Sequence, residues 1–346
     1  MMKVTAMGLI ENMVSVVIPA YNQPTYLQRA LESVLEQTYR PIEVIVADDC
    51  SPRSLEPVIE DFASREDEHF KIRYFRQTQN LGVIENFHSG VAQAKGKYMV
   101  PLAHDNRFTD RGFFAESIKI MSSHPGCHLC YGNAQHENRH GMALGIPDVV
   151  KFRDGWSLLE GKDFIRYYRR GGMGCSHTMV LDHEMALSLR AYDEPFVVNA
   201  AISRRLGIAQ DDLFSYVFLL SGMGSVGLCE KLVGEIGTPP ESYSRSNRKW
   251  KDTKGKVKFL IFYNIYRADL KGKYAADVKR AAFKQALEYI DYILLDFRIA
   301  QYYNWSPGII LLMGLSLPKN AWSELRYAFK RGVNLLKPKT FKKTKR

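Results

Sequence analysis

Three runs in the first third of the chain are almost wholly apolar and then stop at a polar cluster: VSVVIPAYN (14–22), EVIVADDCS (43–51) and KYMVPLAHDN (97–106). Short Val/Ile-rich runs of this kind predict strands of a parallel sheet buried on both faces. The segments between them have helical periodicity instead. In TYLQRALESVLEQ (25–37), Leu27, Ala30, Leu31, Val34 and Leu35 fall on one helical face, with Thr25 as the expected N-cap after Pro24. A helix is expected at about 55–65, a strand in KIRYFRQ (71–77), and a helix in GVIENFHSGVAQA (82–94) with Gly96 near its C-cap. FFAESIKIMSS (113–123) completes the alternation. Strands alternating with helices predict right-handed crossovers and an α/β sheet. In such sheets ligands bind at the carboxyl ends of the strands. Tyr21-Asn22, Asp48-Asp49 and His104-Asp105-Asn106 should therefore share one edge and face one ligand.

From Cys127 the pattern loosens. CHLCYGNAQ reads as a strand, GWSLLEGKDFIRYYRRG (155–171) as a helix, and GGMGCSHTMVLDHEMAL (171–187) as a Gly-rich loop, a strand and the start of a helix. Residues 211–220 read as helical and 231–236 as a strand. TPPESYSRSNRKW (238–250) is turn-rich and polar. Residues 257–300 and 321–336 have the period of amphipathic helices. The expected organisation is a first half at 1–125, a second at 126–250, and a helical, basic extension at 251–346.

Charge sharpens that last boundary. The chain of 346 residues has a net charge of +11, yet from Lys254 onward 20 Lys and Arg stand against 6 Asp and Glu. That segment carries +14 and the remainder −3. An amphipathic helix (AWSELRYAFKRGVNLLK) followed by KPKTFKKTKR fits either the anionic inner face of a membrane or a packed helix with a solvated tail. No nucleic-acid-binding motif accompanies it. Five scattered cysteines argue against a disulfide framework and for a reducing compartment. No signal peptide and no apolar run of membrane-spanning length is evident. Cys127, Cys130, His136 and His140 have zinc-like spacing, but strand alternation would turn the two cysteines to opposite faces.

No G-x-G-x-x-G follows the first strand and no P-loop is present, which disfavours a dinucleotide-dependent oxidoreductase or an NTPase. The ordered set PAYN, LEQTY, VADDCS, NLGVIENFHSG, AKGKYMVPLAHDN and AQDDLF resembles the family 2 glycosyltransferases of the GT-A fold, over about 14–212. The resemblance implies a Rossmann-like, mostly parallel sheet flanked by helices. It implies that Pro19, Ala20, Tyr21 and Asp49 hold the uracil and ribose of a UDP-sugar, with Gly82 and Asn86 beside them. A carboxylate suits the imide N–H and a tyrosine ring suits stacking.

The sequence puts His104-Asp105-Asn106 where the family has its acidic metal motif. Asp105 is the expected ligand for Mn²⁺ or Mg²⁺, and His104 either joins it, favouring Mn²⁺, or faces away. Asp211, with Asp212 as the alternative, corresponds to the catalytic base of an inverting transfer; both also suit a helix N-terminus. The resemblance implies that Arg245 and Arg248 sit in a loop that folds over the diphosphate; a solvated loop is the alternative. The implied activity is hexosyl or N-acetylhexosaminyl transfer to a glycan or lipid-linked glycan in bacterial surface polysaccharide synthesis. The implied location is the cytoplasm, peripheral on the inner face of the membrane. The single carboxylate of the HDN cluster leaves a second reading, a weakly catalytic scaffold that binds a nucleotide-sugar or glycan.

Overall fold

The computed structural model describes residues 3–137, 153–161, 163–164, 178–192 and 220–239. Its centre is a sheet in the order β3 (Phe70–Arg76), β2 (Ile42–Asp48), β1 (Ile10–Ala20), β4 (Gly96–Pro101), β8 (Met179–Asp182), β6 (Cys127–His136), β9 (Ser225–Ile236) and β5 (Asn106–Phe108), with β7 (Trp156–Glu160) added on β9. β1 (Ile10–Ala20), β2 (Ile42–Asp48), β3 (Phe70–Arg76) and β4 (Gly96–Pro101) run parallel to one another. The last eight residues of β1 and all of β2 are buried, as apolar runs covered on both faces should be. α1 (Pro24–Leu35), α2 (Glu56–Ala63) and α4 (Phe113–Ser123) share a core with Val14, Val16, Ile18, Val44 and Val46 on one face. α3 (Val83–Val91) covers the other face, where a Cβ on Gly90 would come within 2.7 Å of Val17.

Beyond β4 the sheet changes direction. β8 (Met179–Asp182) is antiparallel to both β4 and β6 (Cys127–His136). β9 (Ser225–Ile236) then runs parallel to β6, and the short β5 (Asn106–Phe108) pairs antiparallel with it. Strands from both sides of residue 125 thus belong to one sheet.

Several local expectations change. The cap of α1 is Gln23, in the left-handed region, with Pro24 in the first turn; Thr25 is already helical. Gly96 opens β4 instead of closing α3, whose C-cap is Ala92. A Cβ at Gly96 would lie 2.6 Å from the Met13 carbonyl oxygen, so close strand approach fixes the glycine there. HDN does not extend the third apolar strand: β4 ends at Pro101 and Asn106 begins β5. WSLLE, expected to be helical, is β7 (Trp156–Glu160), paired antiparallel with β9. Cys127 and Cys130 lie on the same side, because the β6–β9 register shifts between them and a Cβ on Gly227 would meet both sulfurs. His140 lies outside the described residues, and among those described no three His, Cys, Asp or Glu side chains converge on a metal position. Nor is any described helix long and apolar enough to cross a membrane. Residues 251–346 lie outside the described residues.

His183 opens the short α5 (His183–Ser188), buried with its Nδ1 3.1 Å from the Tyr192 hydroxyl. Burial pushes its imidazole down to about 4, against a weaker pull from Asp182. The unfolded chain takes up a proton near the ordinary value of 6.5 that the folded chain refuses. Stability is therefore held above about pH 6.5 and lost as pH falls toward 4, by up to about 3 kcal/mol. Denaturant titrations from pH 7 to 4 should show this slope, and His183→Phe should flatten it.

Candidate functional site

The register of the parallel strands builds the edge. Ala20 pairs with Asp48 across β1 and β2, and Val17 pairs with Pro101 across β1 and β4. The chain leaving each strand therefore emerges at the same margin of the sheet. The backbone turns sharply there: Asn22, Gln23 and Cys50 all have positive φ, at 58°, 64° and 60°. Non-glycine residues held this way carry strain that the surroundings must sustain, and such strain collects at binding sites.

The two carboxylates of VADDCS divide their roles. Asp48 is fully buried and accepts from the Ser51 amide (2.9 Å), the Ser51 hydroxyl and the Tyr74 hydroxyl (2.8 Å). It knots the ends of β2 and β3 and does not face a ligand, contrary to the expectation that both aspartates would. Asp49 points the other way. Its Oδ1 accepts the Leu81 amide at 2.6 Å and its Oδ2 the Gly82 amide at 2.9 Å. Burial raises its carboxyl above the usual range, with these two amides pulling it back.

Gly82 has φ 88° and ψ 161°, a conformation essentially restricted to glycine. Asn86 is buried, donating to the Ala47 carbonyl (2.7 Å) and accepting from Gln77 (3.2 Å). Its amide group holds α3 to β2. Tyr21 follows Ala20 at the same strand margin and is 43% exposed, the exposure a stacking platform requires.

The third strand end is a turn. His104 Nδ1 lies 3.2 Å from the Pro19 carbonyl oxygen, and with that nitrogen donating, the lone pair sits on Nε2. Nε2 is buried and has no partner among the described residues. An imidazole fixed through Nδ1 to a carbonyl, with Nε2 bare, has the arrangement of a metal-bound histidine. Asn22 Oδ1 and Gln23 Oε1, at the end of the neighbouring strand, are also buried without partners among the described residues. Buried, unpaired acceptors are costly unless a ligand supplies their donor or cation. With Asp105 next in the chain, the donor types at this turn are ones that suit a divalent cation. Asn106 is buried instead and accepts the Gly237 amide (3.2 Å), so it braces the turn.

A set of residues that local pattern did not reveal packs beneath that turn. Glu137 accepts from the Tyr26 hydroxyl (3.0 Å), Arg29 (3.1 Å) and the Thr238 amide (2.8 Å). Arg29 also bonds Glu235 (2.9 Å), which pairs with Arg107 (2.9 Å). Burial alone would raise the Glu137 carboxyl, but these donors hold it below its ordinary value. Tyr26 and Arg29 sit at helical spacing, yet their acceptors lie more than 100 residues away, beyond any sequence periodicity. Asp211, Asp212, Arg245 and Arg248 lie outside the described residues.

Gly82→Ala is expected to destabilise the protein by about 1–3 kcal/mol through forced strain. It should also speed hydrogen exchange at the amides of residues 81 and 82, which bond Asp49. Chemical denaturation and exchange mass spectrometry measure both.

Residues 15–180 match the model for glycosyl transferase family 2. An uncharacterized protein of Mycobacterium tuberculosis is 34% identical over 118 residues, 34% of this chain and 34% of its own length. The GalNAc(5)-diNAcBac-PP-undecaprenol beta-1,3-glucosyltransferase of Campylobacter jejuni is 26% identical over 152 residues, 44% of this chain and 47% of its own. The chain thus spans between a third and a half of the length of these curated relatives. Among solved structures, S. aureus TarS in complex with UDP-GlcNAc superposes with a TM-score of 0.58 at 15% identity, over 86% of this chain and 77% of that one. The mannosyltransferase PcManGT from Pyrobaculum calidifontis, in complex with GDP-Man and Mn²⁺, gives 0.53 at 16%, over 91% and 84%. At those identities the likeness speaks to the fold. With the ordered motifs, the strand-end site and the matched span in agreement, residues 15–180 are similar to glycosyl transferase family 2, and the described residues have the GT-A fold.

Proposed function

We propose that the chain is an inverting, metal-dependent glycosyltransferase that moves a hexosyl or N-acetylhexosaminyl group from a UDP-sugar to a glycan or lipid-linked glycan. The observation that carries this reading is the single edge holding Tyr21, the Asp49–Gly82 pocket and the bare Nε2 of His104 beside Asp105. It is supported by the UDP-GlcNAc complex of TarS, by GDP-Man and Mn²⁺ in PcManGT, and by the undecaprenol-linked acceptor in the name of the C. jejuni relative.

Tyr21 and Asp49 would take the nucleoside, Tyr21 by stacking and Asp49 by a lone pair left over from its two amide bonds. His104 and Asp105 would hold Mn²⁺ or Mg²⁺. A cation bound there neutralises charge on the diphosphate leaving group. Asp211, with Asp212 as the alternative, would accept the proton of the acceptor hydroxyl as its oxygen bonds the anomeric carbon. The bond from that carbon to the diphosphate oxygen breaks on the opposite face, and the nucleoside diphosphate leaves. Arg245 and Arg248 suit its phosphates through their planar forks. The basic 251–346 segment would keep the enzyme at an anionic membrane, near lipid-linked acceptors in polysaccharide synthesis.

Calorimetry with a panel of nucleotide-sugars and Mn²⁺ tests this. A UDP-sugar should bind, Asp105→Ala should remove the metal-dependent part of that binding, and Asp211→Asn should keep binding while lowering transfer by about 10²–10⁴-fold. No binding of any nucleotide-sugar with metal present overturns it. The weak-scaffold reading predicts binding without metal-dependent donor hydrolysis. Hydrolysis by the wild type that is lost in both variants excludes it.

A further inference from the structure

The turn that carries His104 and Asp105 is a loop between two strands, and a loop alone holds a carboxylate loosely. What packs on it is the exit of β9. Gly237 donates its amide to Asn106 Oδ1 at 3.2 Å. A Cβ built on Gly237 would fall 1.8 Å from the Asp105 carbonyl oxygen and 3.1 Å from the Tyr26 ring. The two backbones are therefore in direct contact, and only glycine fits between them. This contact is held from both sides. Before it, Glu235 is bound by Arg29 and Arg107, each at 2.9 Å. After it, Thr238 donates to Glu137 Oε1 through its amide (2.8 Å) and its hydroxyl (3.1 Å).

Glu137 is the point where these restraints meet. The same Oε1 accepts the Tyr26 hydroxyl, and Oε2 accepts Arg29. Its side chain is only 15% exposed. Its own amide bonds the Ile236 carbonyl at 3.1 Å, so backbone and side chain grip the same three-residue exit of β9. Tyr26 is close enough to sense the charges of both Glu137 and Asp105. An ion-pair bridge serving the sheet alone would need Arg29, Glu235 and Arg107. It would not need two bonds to Thr238, placed one residue beyond the glycine that touches Asp105.

We propose that Glu137 is a positioning residue for the donor site: through Thr238 and Gly237 it holds the Asp105 turn where a cation-bridged diphosphate must be met. The proposal rests on the donor-site reading above. It assigns Glu137 no contact with the substrate. Charged donors locked to a carboxylate behind a ligand-bearing turn act as the outer partners of metal ligands do, and removing such partners weakens metal affinity by about 10–100-fold.

The test is calorimetry of UDP on the full chain, with MnCl₂ and separately with EDTA. The wild type should bind UDP more tightly with Mn²⁺. Glu137→Gln should cut that metal-dependent gain by about tenfold and leave binding in EDTA unchanged. Gly237→Ala changes no charge but displaces the Asp105 carbonyl, and should give the same loss. If Gly237→Ala does not fold, Thr238→Val removes the hydroxyl bond to the Glu137 carboxylate without changing the net charge, and should give a loss of about threefold. Manganese paramagnetic resonance of the same variants should show free Mn²⁺ rising in parallel.

Melting temperatures that fall in both variants while the metal-dependent gain stays at the wild-type value would overturn the proposal, leaving Glu137 a stabilising residue only. A loss in Glu137→Gln without one in the neutral variant would also overturn it, since charge alone would then be the cause. A wild type that binds UDP with no metal-dependent gain removes the metal site on which the proposal stands. A wild type that binds no nucleotide removes the donor-site reading itself.

Discussion

Everything at the site follows from β1 having a parallel partner on each side. Only a strand paired with both β2 and β4 can deliver three chain exits to one margin of a sheet. The register is set near the opposite margin by a buried polar knot. Glu43 accepts from Ser15 (2.5 Å), the Lys95 amide (2.6 Å) and Arg73 (2.7 Å), and Ser15 in turn accepts the Gly96 amide (2.7 Å). These bonds join β1, β2, β3 and β4 at one level. A slip of one residue would leave Glu43 buried without its donors, a penalty of several kcal/mol. The apolar runs favour the sheet, and the knot selects one alignment of it.

That alignment explains how one Asp-Asp pair does two jobs. Adjacent residues at a strand end point to opposite sides. Asp48 turns inward to Ser51 and Tyr74, and Asp49 turns to the loop before α3. The pocket is thus preorganised by bonds that need no ligand. The His104–Asp105 turn, at the neighbouring strand end, is built otherwise, by contact with the exit of a strand far along the chain.

This division also marks what the sequence could reveal. The four parallel strands and α1, α3 and α4 were legible because burial on both faces, or on one, imposes a period. The strand ends were legible because polarity changes abruptly there. β7 was not: Trp156, Leu158 and Leu159 suit a helical face as well as a strand, and pairing with β9, about 70 residues away, decided it. The Cys127–Cys130 pair was misjudged because a bulge defeats alternation. Glu137, Arg29 and Glu235 were invisible because charged residues have no period of their own. The separation of Asp48 from Asp49 could have been anticipated from strand geometry alone.

Asn22, Gln23 and Cys50 hold left-handed backbone conformations at the two strand exits where glycine would be at ease. A sequence selected for durability alone would drift toward glycine at these points, relaxing the turns. Bulkier residues here make these exits a place where robustness is traded for a fixed shape. Laboratory evolution for heat tolerance would be drawn to the same three positions, and its gains there would come with a blunted pocket.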